Sequence, residues 1–230
     1  MAVTNNDPGS PQEPVLGCLL HGFGASADDL VPLGPMLGDT MRWIVPQAPY
    51  PLQIGGMVHG YAWFPRDEQR RHEALYGRYF LDLPNLEPPG LASAARGVVR
   101  EIEQTGVPWS RVVLGGFSQG AMVSAEIIRQ GLAHDGPLPA GVLLFSGARI
   151  AQSWWDEVSE PPTTDGIPKP PVFISHGTDD SILPISAGMA LKDTLNRVGC
   201  PITEYIFSGG HEIPAAAVLR AADFISNLFL

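Results

Sequence analysis

Short apolar runs alternate along this chain with segments in which apolar positions recur every three or four residues. Runs with the length and hydrophobicity of strands occur at 15–20, 42–45, 111–114, 140–145, 172–175 and 202–207. Helices are predicted at 30–37, where Asp28 and Asp29 would cap the first turn, from Leu91 until Gly106 and Pro108, and at 121–129, 186–198 and 214–228. This alternation predicts an α/β fold with a mostly parallel central sheet and helices on both faces.

Two irregular stretches interrupt the alternation. Residues 47–89 begin with many Pro and Gly residues, and 151–171 contain Trp154, Trp155 and several prolines, which predicts a loop with room for one helical turn. The two tryptophans suit a lid, an association surface or a simple core anchor equally well. Neither stretch separates two halves of the chain, so residues 15–230 are expected to form a single domain after a polar, flexible leader at 1–14.

The composition fits one large core and argues against some classes of partner. A chain of 230 residues with 44% hydrophobic content can bury most of its apolar surface in one domain without disulfides. The formal net charge of −10 argues against nucleic acid or an anionic membrane surface as a main partner. The chain shows no signal-peptide pattern and no apolar run of roughly 20 residues, so we expect a soluble, cytoplasmic protein without stable membrane insertion. The sequence leaves the oligomeric state open, with a homodimer as one option.

Four residues with nucleophilic or metal-binding side chains are expected to be structural. Cys18 and Cys200 form neither a disulfide framework nor a metal-ligand spacing, and we interpret both as free thiols. His21 and His176 lie beside glycines at predicted strand ends, where a histidine more often holds a loop by hydrogen bonds than binds a metal. We therefore expect neither a metal ion nor a cofactor.

Residues 116–120 match the pattern G-x-S-x-G between a predicted strand and a predicted helix. This context places Ser118 on a sharp turn, as an exposed nucleophile requires. In hydrolases with this pattern the acid follows the nucleophile along the chain and the histidine comes last. His211 follows the last predicted strand and is the expected base, whereas Asp179 and Asp180 both follow the preceding strand and are equivalent candidates for the acid.

A serine nucleophile also needs two backbone N–H donors for the oxyanion that forms on the substrate. The residue after the nucleophile, Gln119, supplies one of them. Phe23, in the run His21 to Gly24, is the expected second donor, because the glycines on each side let the backbone approach a substrate oxygen.

Three large apolar residues are candidates for an acyl-binding pocket: Trp63, Phe64 and Leu183. Aromatic and aliphatic residues of this size are buried for packing at least as often, so a purely structural role is the alternative.

In their order along the chain, these motifs resemble the phospholipase/carboxylesterase family of α/β-hydrolases, which includes acyl-protein thioesterases and bacterial short-chain carboxylesterases. The resemblance runs from Val15 to the C-terminus and rests on Leu20 to Gly24, Trp63-Phe64, Gly115 to Ala121, His176 to Asp180 with Pro184, and Gly210-His211. The family's H-G-x-x-D pattern falls on residues 176–180 and implies Asp180 as the acid. The chain departs from the family in having Ser181 where proline usually follows, and in a longer link from Pro65 to Pro89 that would alter the acyl pocket or its cover.

The resemblance implies a serine carboxylesterase that hydrolyses short- to medium-chain carboxylic esters, with a small-molecule ester as substrate and an acyl-enzyme on Ser118. An acyl-protein thioesterase or a lysophospholipase would use the same triad and differ in its acyl and leaving-group pockets. A non-catalytic α/β-hydrolase scaffold that binds a ligand is a further alternative, although the usual mark of such a scaffold is a broken triad.

Overall fold

The computed structural model describes residues 14–65, 83, 85–158 and 168–229. Its strands are β1 (Leu16–Leu20), β2 (Arg42–Ile44), β3 (Tyr50–Ile54), β4 (Met57–Ala62), β5 (Val112–Phe117), β6 (Gly141–Phe145), β7 (Val172–Gly177) and β8 (Ile202–Phe207). Its helices are α1 (Leu33–Leu37), α2 (Leu91–Gln104), α3 (Gln119–Ala133), α4 (Gln152–Asp156), α5 (Ile185–Arg197) and α6 (Ala215–Leu228).

Six of these strands form one sheet in the order β2-β1-β5-β6-β7-β8, and every neighbouring pair is parallel. The four inner strands are buried almost throughout, whereas the edge strands β2 and β8 are partly exposed. Inner strands covered on both faces need continuous hydrophobicity, which explains the apolar runs in the sequence. The predicted α/β architecture is therefore confirmed.

Helices cover both faces of this sheet, and the pleat of each strand divides its side chains between them. In β1, Leu16, Cys18 and Leu20 pack into a core shared with α2 and α3, while Leu19 packs on the opposite face with residues of α6. Helix α5 joins α3 in a second cluster, and α1 contacts α6. This layering leaves the carboxyl ends of the parallel strands on one edge, where their loops meet.

The helix predicted at 30–37 is wrong in its first half. Ala27–Asp29 forms a short 3-10 turn, and the carboxylate of Asp29 accepts a hydrogen bond from Ser26 N–H at 2.6 Å instead of capping a longer helix. The α-helix begins only after Pro32, because proline has no N–H to donate and restricts the residue before it. Pro214 likewise lies just before α6, in an extended conformation, rather than in its first turn.

The irregular stretch after Gln47 contains an antiparallel hairpin that the sequence did not predict. Strands β3 and β4 pair with each other, outside the main sheet, around a turn at Gly55 and Gly56. The hairpin has little apolar alternation, because much of it is exposed to solvent on both faces. Most of the Pro65 to Pro89 link and residues 1–13 of the leader lie outside the described residues.

The predicted loop at 151–171 begins with α4, a helix of five residues, or about one and a half turns. None of the helices among the described residues combines the length and hydropathy that crossing a membrane requires.

Candidate active site

Ser118 lies at the sharp turn between β5 and α3. Its backbone has φ of 55° and ψ of −115°, an unfavourable conformation for a residue with a side chain, and its N–H donates to Phe145 O at 2.9 Å. A Cβ on Gly116 would lie 2.4 Å from the backbone of Gly120, and a Cβ on Gly120 would lie 2.0 Å from Leu20 O. The two glycines of the motif are therefore required by close backbone contacts that hold the turn.

His211 connects Ser118 to a carboxylate. Its Nε2 lies 2.8 Å from Ser118 Oγ, and its Nδ1 lies 2.7 Å from Asp180 Oδ2. An ionised carboxylate can only accept hydrogen bonds, so Nδ1 carries the proton and Nε2 accepts from the serine hydroxyl. In this tautomer the imidazole can remove the serine proton, and the carboxylate can stabilise the imidazolium that results.

The two neighbouring aspartates have different surroundings. Asp180 is buried, and its Oδ1 accepts hydrogen bonds from the N–H groups of Ile182 and Leu183 at 2.9 and 2.8 Å. Asp179 is exposed, and its carboxylate accepts from Thr178 Oγ1 at 3.1 Å. The structure thus brings Asp180 to His211 and leaves Asp179 at the surface.

A buried histidine supports the loop that carries the acid. His176 Nε2 lies 2.8 Å from Leu183 O, to which it donates, and 3.3 Å from Asp180 Oδ2. The sequence predicted a loop-holding role for this residue, and its hydrogen bond to Leu183 fits that role. Its proximity to the acid was not predicted, because it arises from the return of the chain between residues 176 and 183.

The loop after β1 lies against the serine turn. A Cβ on Gly22 would come within 3.1 Å of the Phe117 ring and 3.5 Å of Ser118 Cβ, so the residue before Phe23 contacts the serine turn. Gln119 is the first residue of α3, where a helix leaves its N–H groups without intrahelical partners. Of the two segments predicted to supply the oxyanion donors, one therefore contacts the serine turn through Gly22 and the other directly follows Ser118.

His21 holds the loop that contains Phe23. Its Nε2 accepts a hydrogen bond from Ala48 N–H at 3.2 Å, so Nδ1 carries the proton and donates to Gly22 O at 2.8 Å. Burial lowers the pKa of His21, which keeps the imidazole in this neutral form. The predicted loop-holding role of His21 agrees with these bonds.

The three candidate pocket residues are all buried, with exposed fractions of 2% for Trp63, 3% for Phe64 and 2% for Leu183. They belong to the core cluster that includes β1, α2 and α3. Their role in lining an acyl pocket stays a prediction.

The side chain of Gln119 is a feature that the sequence analysis missed. Its Oε1 accepts from Trp63 N–H at 2.8 Å, and its Nε2 donates to Phe64 O at 3.0 Å. Nothing in the local sequence indicates these bonds, because they join residues far apart in the chain.

Neither cysteine offers an alternative nucleophile. Burial raises the pKa of the Cys18 thiol well above its usual value and that of Cys200 to about 12, so both are protonated at neutral pH. The described part of the chain also contains no group of three or more His, Cys, Asp or Glu side chains arranged to hold a metal ion.

Comparison with known proteins places this site in a family context. Residues 5–229 match the sequence profile of the phospholipase/carboxylesterase family. The chain is similar to Acyl-protein thioesterase 1 of Gibberella zeae, with 26% identity over 85% of this chain and 80% of that protein. It is 29% identical to Acyl-protein thioesterase 1 of Cryptococcus neoformans over 76% of this chain and 70% of that protein. Among solved structures, esterase PE8 is 27% identical, with a TM-score of 0.70 over 94% of this chain and 93% of that chain.

Proposed function

Because the chain belongs to the phospholipase/carboxylesterase family of α/β-hydrolases, we propose that it is a serine carboxylesterase that acts on short- to medium-chain esters. In this proposal Ser118 is the nucleophile, His211 the general base and acid, and Asp180 the residue that orients His211. The observation that carries it is the hydrogen-bonded chain from Ser118 Oγ through both ring nitrogens of His211 to Asp180 Oδ2.

Acylation begins with attack of Ser118 Oγ on the ester carbonyl carbon. As the new C–O bond forms, the serine proton moves to His211 Nε2 and the carbonyl electrons move onto oxygen. The N–H groups of Phe23 and Gln119 stabilise this oxyanion. The C–O bond to the alcohol then breaks, and His211 gives its proton to the departing oxygen.

Deacylation repeats these reaction steps, with water in place of the serine hydroxyl. His211 removes a proton from water as its oxygen attacks the acyl carbon, and it then protonates Ser118 as the acyl bond breaks. The products are a carboxylic acid and the free enzyme.

The first test is Ser118→Ala with p-nitrophenyl butyrate as substrate. We expect kcat/KM to fall by about 10⁴- to 10⁶-fold, because the remaining groups have no nucleophile to activate. Ser226→Ala is a matched control: this exposed serine on α6 donates to Ala222 O at 3.0 Å, and its loss should leave activity unchanged. A fluorophosphonate probe should label the wild-type chain once and the Ser118→Ala variant not at all. Retained turnover or labelling in Ser118→Ala contradicts the proposal.

A thioesterase acting on acylated proteins is the second candidate. It is favoured by the curated relatives, which are named Acyl-protein thioesterase 1, and it uses the same residues. Matched oxygen esters and thioesters with acyl chains from acetyl to palmitoyl distinguish the two activities. A maximum at short oxygen esters supports the carboxylesterase, and a maximum at long-chain thioesters supports the thioesterase.

A further inference from the structure

The two proposed oxyanion donors belong to segments that are far apart along the chain. Gln119 begins α3, whereas Phe23 lies in the loop after β1. Such donors stabilise an oxyanion only if both lie about 3 Å from the same substrate atom. Their relative position must therefore be held by contacts that join the two segments.

Trp63, just beyond β4, makes hydrogen bonds to both sides. Its backbone N–H donates to Gln119 Oε1 at 2.8 Å, and its indole Nε1–H donates to His21 O at 2.8 Å. The Gln119 amide completes the link by donating to Phe64 O at 3.0 Å. The side chain of one donor residue is thus joined through a single tryptophan to the loop of the other.

Strand β4, which Trp63 follows, holds the loop on the other side of Phe23. Gly24 N–H donates to Tyr61 O, and Tyr61 N–H donates to Ala25 O, both at 2.9 Å. Phe23 therefore lies between two attachments to one segment, at His21 through the Trp63 indole and at Gly24 and Ala25 through the Tyr61 backbone.

Because these hydrogen bonds are buried, losing one of them is costly. The exposed fraction is 2% for Trp63, 3% for Gln119 and 0% for His21. A carbonyl that loses its donor in such surroundings has no water to replace it, so the peptide must move or remain unsatisfied.

We infer that Trp63 is a positioning residue that sets the distance between the Phe23 and Gln119 amides, rather than a residue that lines the acyl pocket. This inference rests on the proposed function, because it assigns Trp63 a role through the two donors of that mechanism. A small shift of one donor weakens binding of the transition state while leaving the fit of the ground-state substrate nearly unchanged.

The test is Trp63→Phe, which keeps an aromatic ring but removes the indole N–H. With p-nitrophenyl butyrate we expect kcat to fall about 10- to 100-fold while KM stays within about twofold. Affinity for a trifluoromethyl ketone, whose adduct carries an oxyanion, should fall by a similar factor. The order of preference among acyl chain lengths should not change.

Trp43→Phe is the matched control. The Trp43 indole also donates to a backbone carbonyl, Gly38 O at 2.9 Å, but it packs on the opposite face of the sheet. This variant loses the same type of bond, and its kcat and ketone affinity should equal those of the wild type.

Gln119→Met provides a second route if Trp63→Phe does not fold. It removes both side-chain bonds of Gln119 while keeping its backbone N–H, and it should also lower kcat and ketone affinity together. An unchanged kcat in a folded variant overturns the inference. So does a fall in kcat without loss of ketone affinity, or a shift in acyl-length preference. If the wild type neither turns over esters nor reacts with a fluorophosphonate, the proposed function itself fails.

Discussion

The turn at Ser118 and the β3–β4 hairpin both contact the candidate site, but different interactions hold them in place. At the turn, backbone atoms of β1, β5 and α3 approach so closely that Gly116 and Gly120 have no space for a Cβ. The hairpin is exposed at its tip and contacts the site near its base, where Gly60 packs against Gly24 and where Tyr61 and Trp63 form hydrogen bonds. Steric contacts tolerate almost no change, whereas a set of hydrogen bonds can lose one member and keep its general form. We therefore expect abrupt losses at the turn and graded losses where hydrogen bonds of the hairpin are removed.

The largest loss beyond Ser118 itself is expected at Asp180, which acts on the turn through His211. Asp180→Asn should lower kcat by about 10³- to 10⁴-fold, because an amide can donate to Nδ1 and favour the wrong imidazole tautomer. Asp179→Asn is the matched control and should stay within about twofold, since the Asp179 carboxylate is exposed. Steady-state kinetics of both variants decide the point. Equal losses in the two variants contradict the assignment of the acid.

A substitution at Gly120 tests the steric half of the comparison. Gly120→Ala places a methyl group 2.0 Å from Leu20 O, so the turn must open, and we expect a loss of about 3 kcal/mol in the free energy of unfolding. Gly97→Ala, in the middle of α2, introduces the same methyl group with no atom nearer than 3.9 Å. It should stabilise the protein by about 0.5 to 1 kcal/mol, because alanine favours a helix more than glycine does. Urea denaturation measures both. A stable, active Gly120→Ala variant refutes the steric account.

The smallest effect is expected at the hairpin tip. Ile54 and Met57 are each 66% exposed, so replacing both with serine removes little buried surface. With a water-soluble ester, kcat/KM should stay within about twofold, and the free energy of unfolding should change by less than about 1 kcal/mol. A large fall in kcat/KM would show that the tip, and not only the base of the hairpin, contributes to the site.

The inner strands could be predicted from the sequence because they are buried on both faces of a parallel sheet. The inner strands appeared as apolar runs, and the G-x-S-x-G segment identified its own turn because its requirements are local. Parallel topology then brought His211 and the aspartates to the same edge of the sheet as Ser118. The hairpin was missed because it is exposed and lacks a hydrophobic period.

Other features depend on contacts that sequence spacing does not encode. The residues alone left Asp179 and Asp180 equivalent. In the structure only the Asp180 carboxylate faces His211, and it also accepts hydrogen bonds from the N–H groups of Ile182 and Leu183. The hydrogen bonds of Gln119 and Trp63 join residues far apart in the chain. Each of these bonds connects a side-chain atom of one residue to a backbone atom of the other. The G-x-S-x-G pattern assigns Gln119 a role only through its backbone N–H, so it gives no indication of the side-chain bonds.

The order of strands in the sheet has a consequence for how the enzyme is made. The loops that converge on the site follow β1, β5, β7 and β8, and β8 pairs with β7 alone at the edge. We expect contacts between segments so distant in the chain to form late in folding, because each requires closure of a long loop. During refolding from denaturant, helical circular dichroism should return before esterase activity does. We therefore expect a chain whose strand β8 is still within the ribosome to be inactive, because His211 follows that strand.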